Sequence, residues 1–105
     1  MEHTLYFLPT GGGMPQAADA LLARVSPARR AKIAALRFAG DRENALLAAV
    51  AVRLCAAEAL GAENRQLRFA CTAWGKPYLD GAPDFCFSIA HTDGAVAVAV
   101  SPTAV

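Results

Sequence analysis

Two consecutive helix signals, each with its own start and stop residues, constrain the fold more than any other feature of the sequence. In the first, Ser26 is in the N-cap position and Pro27 is at the first helical position, where its missing N–H costs nothing. We expect this helix to stop at Gly40. In the second, Asp41 caps a longer helix that Gly61 closes. The spacing of apolar residues predicts the core-facing stripe of this longer helix to be Leu47, Val50, Leu54 and Ala57.

The chain after this helix consists of short extended runs separated by turn-forming residues, which is typical of antiparallel strands. The runs are 67–71, 78–79, 85–89 and 95–100. Asp93-Gly94 lies between two apolar runs and predicts a hairpin. Near the start, residues 5–8 predict a buried strand, the three glycines 11–13 predict a flexible connection, and residues 14 or 15 to 25 predict a further helix. The fold class is therefore α+β, with an antiparallel sheet packed against two or three helices in a single domain, residues 1–105.

Composition narrows the class of protein. The chain has 105 residues, of which 55% are hydrophobic and 18% charged, so disorder is excluded. The net charge is +1, which argues against a protein whose whole surface binds nucleic acid or anionic lipid. No apolar run approaches the roughly 20 residues that a membrane span needs. Three cysteines without a Cys-x-x-Cys pair argue against a disulfide framework or a zinc site. We expect a soluble cytoplasmic protein with neither a nucleic-acid nor a membrane partner.

Three positions could each bind an anion. Arg29 and Lys32 are three residues apart at the basic start of a helix, where the backbone also attracts anions. Lys76, between Gly75 and Pro77, lies on a stiff turn with aromatic residues on both sides that could shield it. His91 closes an apolar strand. Taken singly, each also has a structural interpretation: a solvated basic face, a surface turn and a structural histidine.

Four motifs in this order resemble the N-terminal half of the 4'-phosphopantetheinyl transferases of the surfactin-synthetase-activating type. The resemblance covers about residues 25–105, and the Gly-Lys-Pro turn followed by the histidine strand is its most specific part. The motifs are Ser-Pro-x-Arg-Arg-x-Lys (26–32), Asp-x-x-x-x-Leu-Leu-x-x-x-x-x-Arg (41–53), Trp-Gly-Lys-Pro-Tyr-Leu (74–79) and Phe-Ser-Ile-Ala-His-Thr-Asp-Gly (87–94). The resemblance implies half of the pseudo-twofold fold of that family.

The resemblance also implies a coenzyme A site. The family transfers phosphopantetheine from coenzyme A to a serine of an acyl or peptidyl carrier protein with the help of Mg²⁺. By motif, Arg29 and Lys32 would bind the 3'-phosphate, Lys76 and its turn would hold the nucleotide, and His91 would contact phosphate oxygens. Three separated cationic groups suit a ligand with three phosphates.

The sequence departs from the family pattern at several positions. Asn44-Ala45 replaces an arginine and a hydroxyl, and Ala90 replaces a serine. In the family, a Gly-x-Asp-x-Glu motif whose acids bind Mg²⁺ comes after this region. These 105 residues do not contain it, and Asp80, Asp84 and Asp93 are scattered on turns. We therefore expect a half-enzyme that is inactive alone and that pairs with a missing C-terminal half or with itself. The alternative is a non-catalytic coenzyme A or nucleotide-binding module, and a small nucleic-acid binder is the least favoured reading.

Overall fold

A computed structural model of the protein describes residues 4–13 and 16–102. The chain forms three helices, one turn of 3-10 helix and five strands within these ranges. In chain order they are β1 (Thr4–Pro9), α1 (Ala18–Leu22), α2 (Pro27–Ala35), α3 (Ala39–Leu60), the 3-10 turn (Asn64–Gln66), β2 (Phe69–Cys71), β3 (Pro77–Leu79), β4 (Cys86–Thr92) and β5 (Ala95–Ser101). The predicted α+β class is confirmed. Met14 and Pro15, where we expected a helix to start, lie outside the described residues, and α1 covers only part of that prediction.

The long helix α3 packs on the three-stranded sheet through small residues. Ala48, Val52 and Ala56, spaced four residues apart, are buried on the same face of the helix. They belong to the same hydrophobic cluster as the buried valines of the central strand, Val96, Val98 and Val100. Short side chains at this contact allow the helix axis to approach the sheet closely, so α3 fixes the centre of the core.

The predicted core stripe of α3 is wrong except at Ala57, which packs against the core cluster. Leu54 is 66% exposed, and Leu47, Val50 and Ala57 are only partly buried. The helix has apolar residues around most of its circumference, so periodicity could not distinguish the face that contacts the sheet from its neighbour. The contact selects the alanine-rich face because it permits the closer approach, and the larger leucine is left outside.

The junction between α2 and α3 also differs from the prediction. The side chain of Ser26 accepts a hydrogen bond from the Arg29 amide at 3.1 Å, which confirms the predicted cap of α2. The break between the helices comes at Leu36, whose backbone is extended, so Gly40 lies in the first turn of α3 rather than after α2. The Arg42 guanidinium donates to the Leu36 carbonyl at 2.8 Å, which satisfies a backbone acceptor at the break. At the other end of α3, Gly61 forms the predicted left-handed cap.

The strands form two antiparallel sheets rather than one. The larger has the order β1-β5-β4, and β2 pairs with β3 as a separate two-stranded ribbon. The predicted hairpin at Asp93-Gly94 is confirmed, since this turn joins β4 to β5.

The prediction that the first strand is buried is wrong. β1 is an edge strand whose Leu5 and Phe7 stand opposite Ala99 and Ala97, on the sheet face turned away from α3. Phe7 is 70% exposed there. An apolar strand at the edge of a half-covered sheet therefore leaves large side chains in water.

Substitutions on α3 test which face is buried. Ala56→Leu is expected to lower the free energy of unfolding by about 1–3 kcal/mol, because added methylenes enter space that is already filled. Leu54→Ala is expected to change it by less than about 0.5 kcal/mol, because the leucine is mostly solvated. Urea denaturation followed by circular dichroism measures both, and the reverse order of effects would favour the stripe predicted from periodicity.

Candidate functional site

The basic helix α2 exposes its cationic side chains. Arg29 is partly buried, whereas Arg30 and Lys32 are exposed, and the buried residue of this helix is Ile33. Among the described residues, none of these three cations forms an ion pair. The Arg29 amide already donates to the Ser26 side chain, so an anion at this end would be bound mainly by side chains and by the remaining free amides.

The turn that carries Lys76 is closed by several hydrogen bonds to Thr72. The Thr72 amide donates to the Lys76 carbonyl at 2.8 Å, and the Thr72 hydroxyl accepts from the Lys76 amide at 3.1 Å. Gly75 has φ of 83°, in the left-handed region that favours glycine, and its amide donates to the Thr72 carbonyl. The backbone of Lys76 is therefore fixed on both sides while its ammonium extends into solvent.

The expected aromatic shielding of Lys76 is not present. Trp74 is 95% exposed and Tyr78 is also exposed, so neither ring excludes water from the turn. An indole held almost wholly in water is unusual for a large apolar group and is available for contact with a ligand or another protein surface.

The last candidate, His91, lies near the end of β4 opposite Val96 and is exposed. The turn that follows it is held from two sides. The Asn44 side-chain amide on α3 donates to the Thr92 carbonyl at 2.9 Å, and the Thr10 amide after β1 donates to the Gly94 carbonyl at 2.9 Å. Asn44, only 6% exposed, thus connects the first turns of α3 to the strand end that carries His91.

Beside Asn44, a buried carboxylate fixes the glycine-rich connection, and sequence reasoning missed it. Glu43 is 4% exposed, and its two carboxylate oxygens accept from the amides of Gly11 at 3.0 Å and Gly13 at 3.1 Å. Both glycines have positive φ, of 97° and 91°, so other residues would be strained there. A segment expected to be flexible is therefore bound to the start of α3. The one available signal was an acid within an apolar helix, preceded by a glycine run that could supply free amides.

Two buried oxygens near this turn have no hydrogen-bond partner among the described residues. They are Oγ1 of Thr10 and Oδ1 of Asn44. A buried polar atom left unpaired costs about 1–3 kcal/mol, so each of these oxygens is expected to pair with a water molecule or another polar group. The Thr10 hydroxyl and a ring N–H of His91 can donate to phosphate oxygens, whereas the Asn44 amide oxygen only accepts and needs a donor such as a hydroxyl, an N–H group or a water molecule.

The predicted site residues stand on three separate elements. Gly75, Lys76 and Pro77 form the turn that leads into β3. Arg29 and Lys32 lie on α2, and His91 lies on β4. Two surface cavities, of about 600 and 310 Å³, are lined by other residues. Convergence of the cationic groups on a single ligand therefore remains a prediction.

The arrangement of metal-ligating and thiol groups within residues 4–13 and 16–102 limits the chemistry available there. No three His, Cys, Asp or Glu side chains there are close enough to hold a metal ion. The three cysteines are free, and burial raises the pKa of the Cys55 thiol, which lowers its nucleophilicity at neutral pH. No helix in these ranges is long and apolar enough to cross a membrane.

Comparison with known proteins identifies the family. Residues 14–103 match the N-terminal domain of 4'-phosphopantetheinyl transferases. The chain belongs to this family. It is 30% identical over 82 residues to a 4'-phosphopantetheinyl transferase of Bacillus subtilis, in an alignment that covers 78% of this chain and 37% of the relative. The α+β architecture with antiparallel sheets and three helices is consistent with half of the phosphopantetheinyl transferase fold, as expected from the motifs.

The contacts of Glu43 can be tested with a matched pair of variants on α3. Glu43→Gln is expected to lower the free energy of unfolding by about 1–3 kcal/mol, because hydrogen bonds to a charged acceptor are stronger than those to an amide oxygen. Glu58→Gln removes an exposed carboxylate from the same helix and is expected to change stability by less than about 0.5 kcal/mol. Equal effects of the two variants, measured by thermal or urea denaturation, would contradict the tethering role of Glu43.

Proposed function

We propose that this chain is the coenzyme A-binding part of a 4'-phosphopantetheinyl transferase of the surfactin-synthetase-activating type. The observation that carries the proposal is the rigid Gly75-Lys76-Pro77 turn, with both backbone groups of Lys76 bonded to Thr72, in a chain of this family. A fixed backbone lowers the entropy lost when the ammonium binds an anion. In the family reaction, phosphopantetheine passes from coenzyme A to a serine of an acyl or peptidyl carrier protein.

Each candidate residue has a distinct role in this proposal. Arg29 and Lys32 bind the 3'-phosphate of coenzyme A, Lys76 holds the nucleotide and its phosphates, and His91 contacts phosphate oxygens. Their guanidinium, ammonium and imidazole groups suit a ligand with several phosphates. Asn44 acts indirectly, because it fixes the turn next to His91.

In this proposal, the carboxylates that bind Mg²⁺ in the family come from outside these 105 residues. The alignment covers 37% of the Bacillus subtilis relative, and the described residues contain no cluster of acids suited to a metal. Bound by those carboxylates, Mg²⁺ would supply charge neutralisation at the phosphates, and this chain would contribute binding and orientation of the coenzyme.

Substitution of the two phosphate-facing residues tests the coenzyme site. Lys76→Ala and His91→Ala are each expected to weaken coenzyme A binding by about 10-fold or more, since charge-assisted hydrogen bonds contribute about 1.5–3 kcal/mol. Both side chains are exposed, so the melting temperature should stay nearly unchanged. Isothermal titration calorimetry measures the affinity, and a large loss of stability would instead favour a structural role.

The 3'-phosphate provides a second arm of the same experiment. Arg29→Ala and Lys32→Ala should weaken binding of coenzyme A but not of its 3'-dephospho form, and Arg30→Ala, on the same helix, is the matched control. If wild-type protein bound the two forms equally, the assignment of Arg29 and Lys32 would fail.

A second candidate function is a coenzyme A-binding module without catalysis. It is favoured by Ala90, which lacks a hydroxyl, and by Asn44, whose side-chain NH₂ group donates to the Thr92 carbonyl, whereas the arginine expected at this position carries a positive charge. Transfer to an apo carrier protein in the presence of Mg²⁺ discriminates the two functions. Binding of coenzyme A without transfer, in a chain long enough to include the family's acids, would support the module.

The exposed sheet face supports pairing with a second half or with another copy. Leu5 and Phe7 project from the face opposite α3, next to the small side chains of Ala97 and Ala99. A flat surface of small residues beside two large apolar side chains is suited to packing against another layer. We expect these 105 residues alone to self-associate through it.

Self-association can be tested at this face. Phe7→Glu should shift the protein toward the monomer in sedimentation velocity, because it places a charge in the apolar contact. Phe38→Glu replaces another exposed phenylalanine, outside this face, and should leave the distribution unchanged. A wild-type protein that is monomeric at all concentrations would contradict self-association.

A further inference from the structure

A second surface, formed by residues other than the proposed coenzyme-binding ones, is a groove with an apolar floor and arginines at its border. It lies between α1 and α3, has a volume of about 310 Å³, and has an apolar floor. The floor consists of Leu21, Val50, Leu54 and Ala57. Leu54, the residue wrongly expected in the core, thus presents its side chain to this groove and to solvent.

Arginines border the apolar floor. Arg24 and Arg53 line the groove, and Arg24 and Arg65 line an adjoining cavity of about 600 Å³. Asn64 lines both the groove and the adjoining cavity, and its side chain holds the two arginines between them. Its side-chain amide donates to the Arg24 carbonyl at 2.7 Å, and its Oδ1 accepts from Nη1 of Arg53 at 3.0 Å. The Arg53 guanidinium also stacks over the Phe69 ring at 5.1 Å, so it is held in a defined position before any ligand arrives.

Arg65 is neutralised by Glu63, which also lines the larger cavity, whereas Arg24 and Arg53 have no ion-pair partner among the described residues. Partial burial, and the nearby charge of Arg68, lower the pKa of Arg53. The ion pair observed within the described ranges joins Arg65 to Glu63, and no carboxylate there pairs with Arg24, Arg53 or Arg68. Like charges gathered beside an apolar surface are stabilised by a partner that supplies carboxylates.

We infer that this groove docks an acidic amphipathic helix of a partner protein. The apolar stripe of the partner helix packs on Leu54 and Val50, and its flanking carboxylates pair with Arg24 and Arg53. A nucleic acid would use the arginines but leave the aliphatic floor in contact with water. A second copy of this groove would bring arginines together, which disfavours isologous pairing. The inference goes beyond the coenzyme site and does not depend on it.

A designed peptide tests the groove directly. The probe is a fluorescein-labelled helix of about 15 residues, roughly four turns, with leucines at i, i+3, i+4 and i+7 and glutamates beside them. Fluorescence anisotropy is expected to show binding to the wild-type protein. Leu54→Glu and Arg24→Glu should each weaken it at least about 10-fold, whereas Arg37→Glu, the same charge change outside the groove, should weaken it much less. Amide chemical shifts should change at Leu21, Val50 and Leu54 when the peptide is added.

Several outcomes would overturn the inference. The first is no binding at peptide concentrations up to about 1 mM. The second is that a peptide with the same residues in scrambled order binds as tightly as the designed helix. The third is that single-stranded DNA displaces the labelled helix as well as the unlabelled helix does. A change of sedimentation with Leu54→Glu, in a protein that does not bind the peptide, would assign the groove to a second copy instead. Leu54 and Arg24 are exposed, so circular dichroism should show that both variants remain folded.

Discussion

The contact between the alanine-rich face of α3 and the valines of β5 is the interaction on which the rest of the structure depends. It brings a 22-residue helix against the middle strand of the sheet, and the fully buried side chains of Val96 and Val98 lie at the centre of that contact. Each buried methylene contributes about 0.8 kcal/mol, so this layer supplies a large share of the stability of so small a domain. Because α3 is fixed here, its first turns can hold the two loops that surround the His91 strand end.

Those loops are held by polar groups rather than by apolar packing. Glu43 accepts hydrogen bonds from the glycine connection after β1, and Asn44 donates one to the end of β4. Two consecutive residues of α3 therefore restrain the segments that follow the two outer strands of the sheet. Hydrogen bonds of this kind lose strength steeply when their geometry changes. The position of His91 therefore depends on the position of the first turns of α3.

Local signals predicted several parts of the fold, but Gly40 as the end of α2 and Asp41 as the cap of α3 were wrong, since α3 begins at Ala39. The Ser26 cap, the left-handed Gly61 and the Asp93-Gly94 hairpin were all correct, because each depends on a few neighbouring residues. The buried face of α3 and the exposure of β1 were predicted wrongly, because they depend on which strand lies next to which. The apolar pattern of the sequence does not show which strands are neighbours. It also does not show which face of α3 is buried, because apolar residues surround most of this helix.

In the candidate site too, features set by neighbouring residues were predictable from the sequence, and features set by long-range contacts were not. The turn at Lys76 was predictable from Gly75 and Pro77, and hydrogen bonds to Thr72 close it. The burial of Glu43 was not, because its partners are 30 and 32 residues away along the chain and become neighbours only after the sheet forms. Long-range polar contacts of this kind have no periodic signature.

The same helix separates two surfaces that can act independently. Glu43 and Leu54 are eleven residues apart, which at 1.5 Å per residue is about 16 Å along the axis of α3. Effects at sites more than about 7–10 Å apart without shared partners are usually additive. Residues that hold the His91 turn and residues that form the arginine-bordered groove can therefore change separately, so long as the alanine face between them keeps α3 on the sheet. The proposed coenzyme-binding end and the proposed helix-docking side of α3 therefore place no conflicting energetic demands on this small domain.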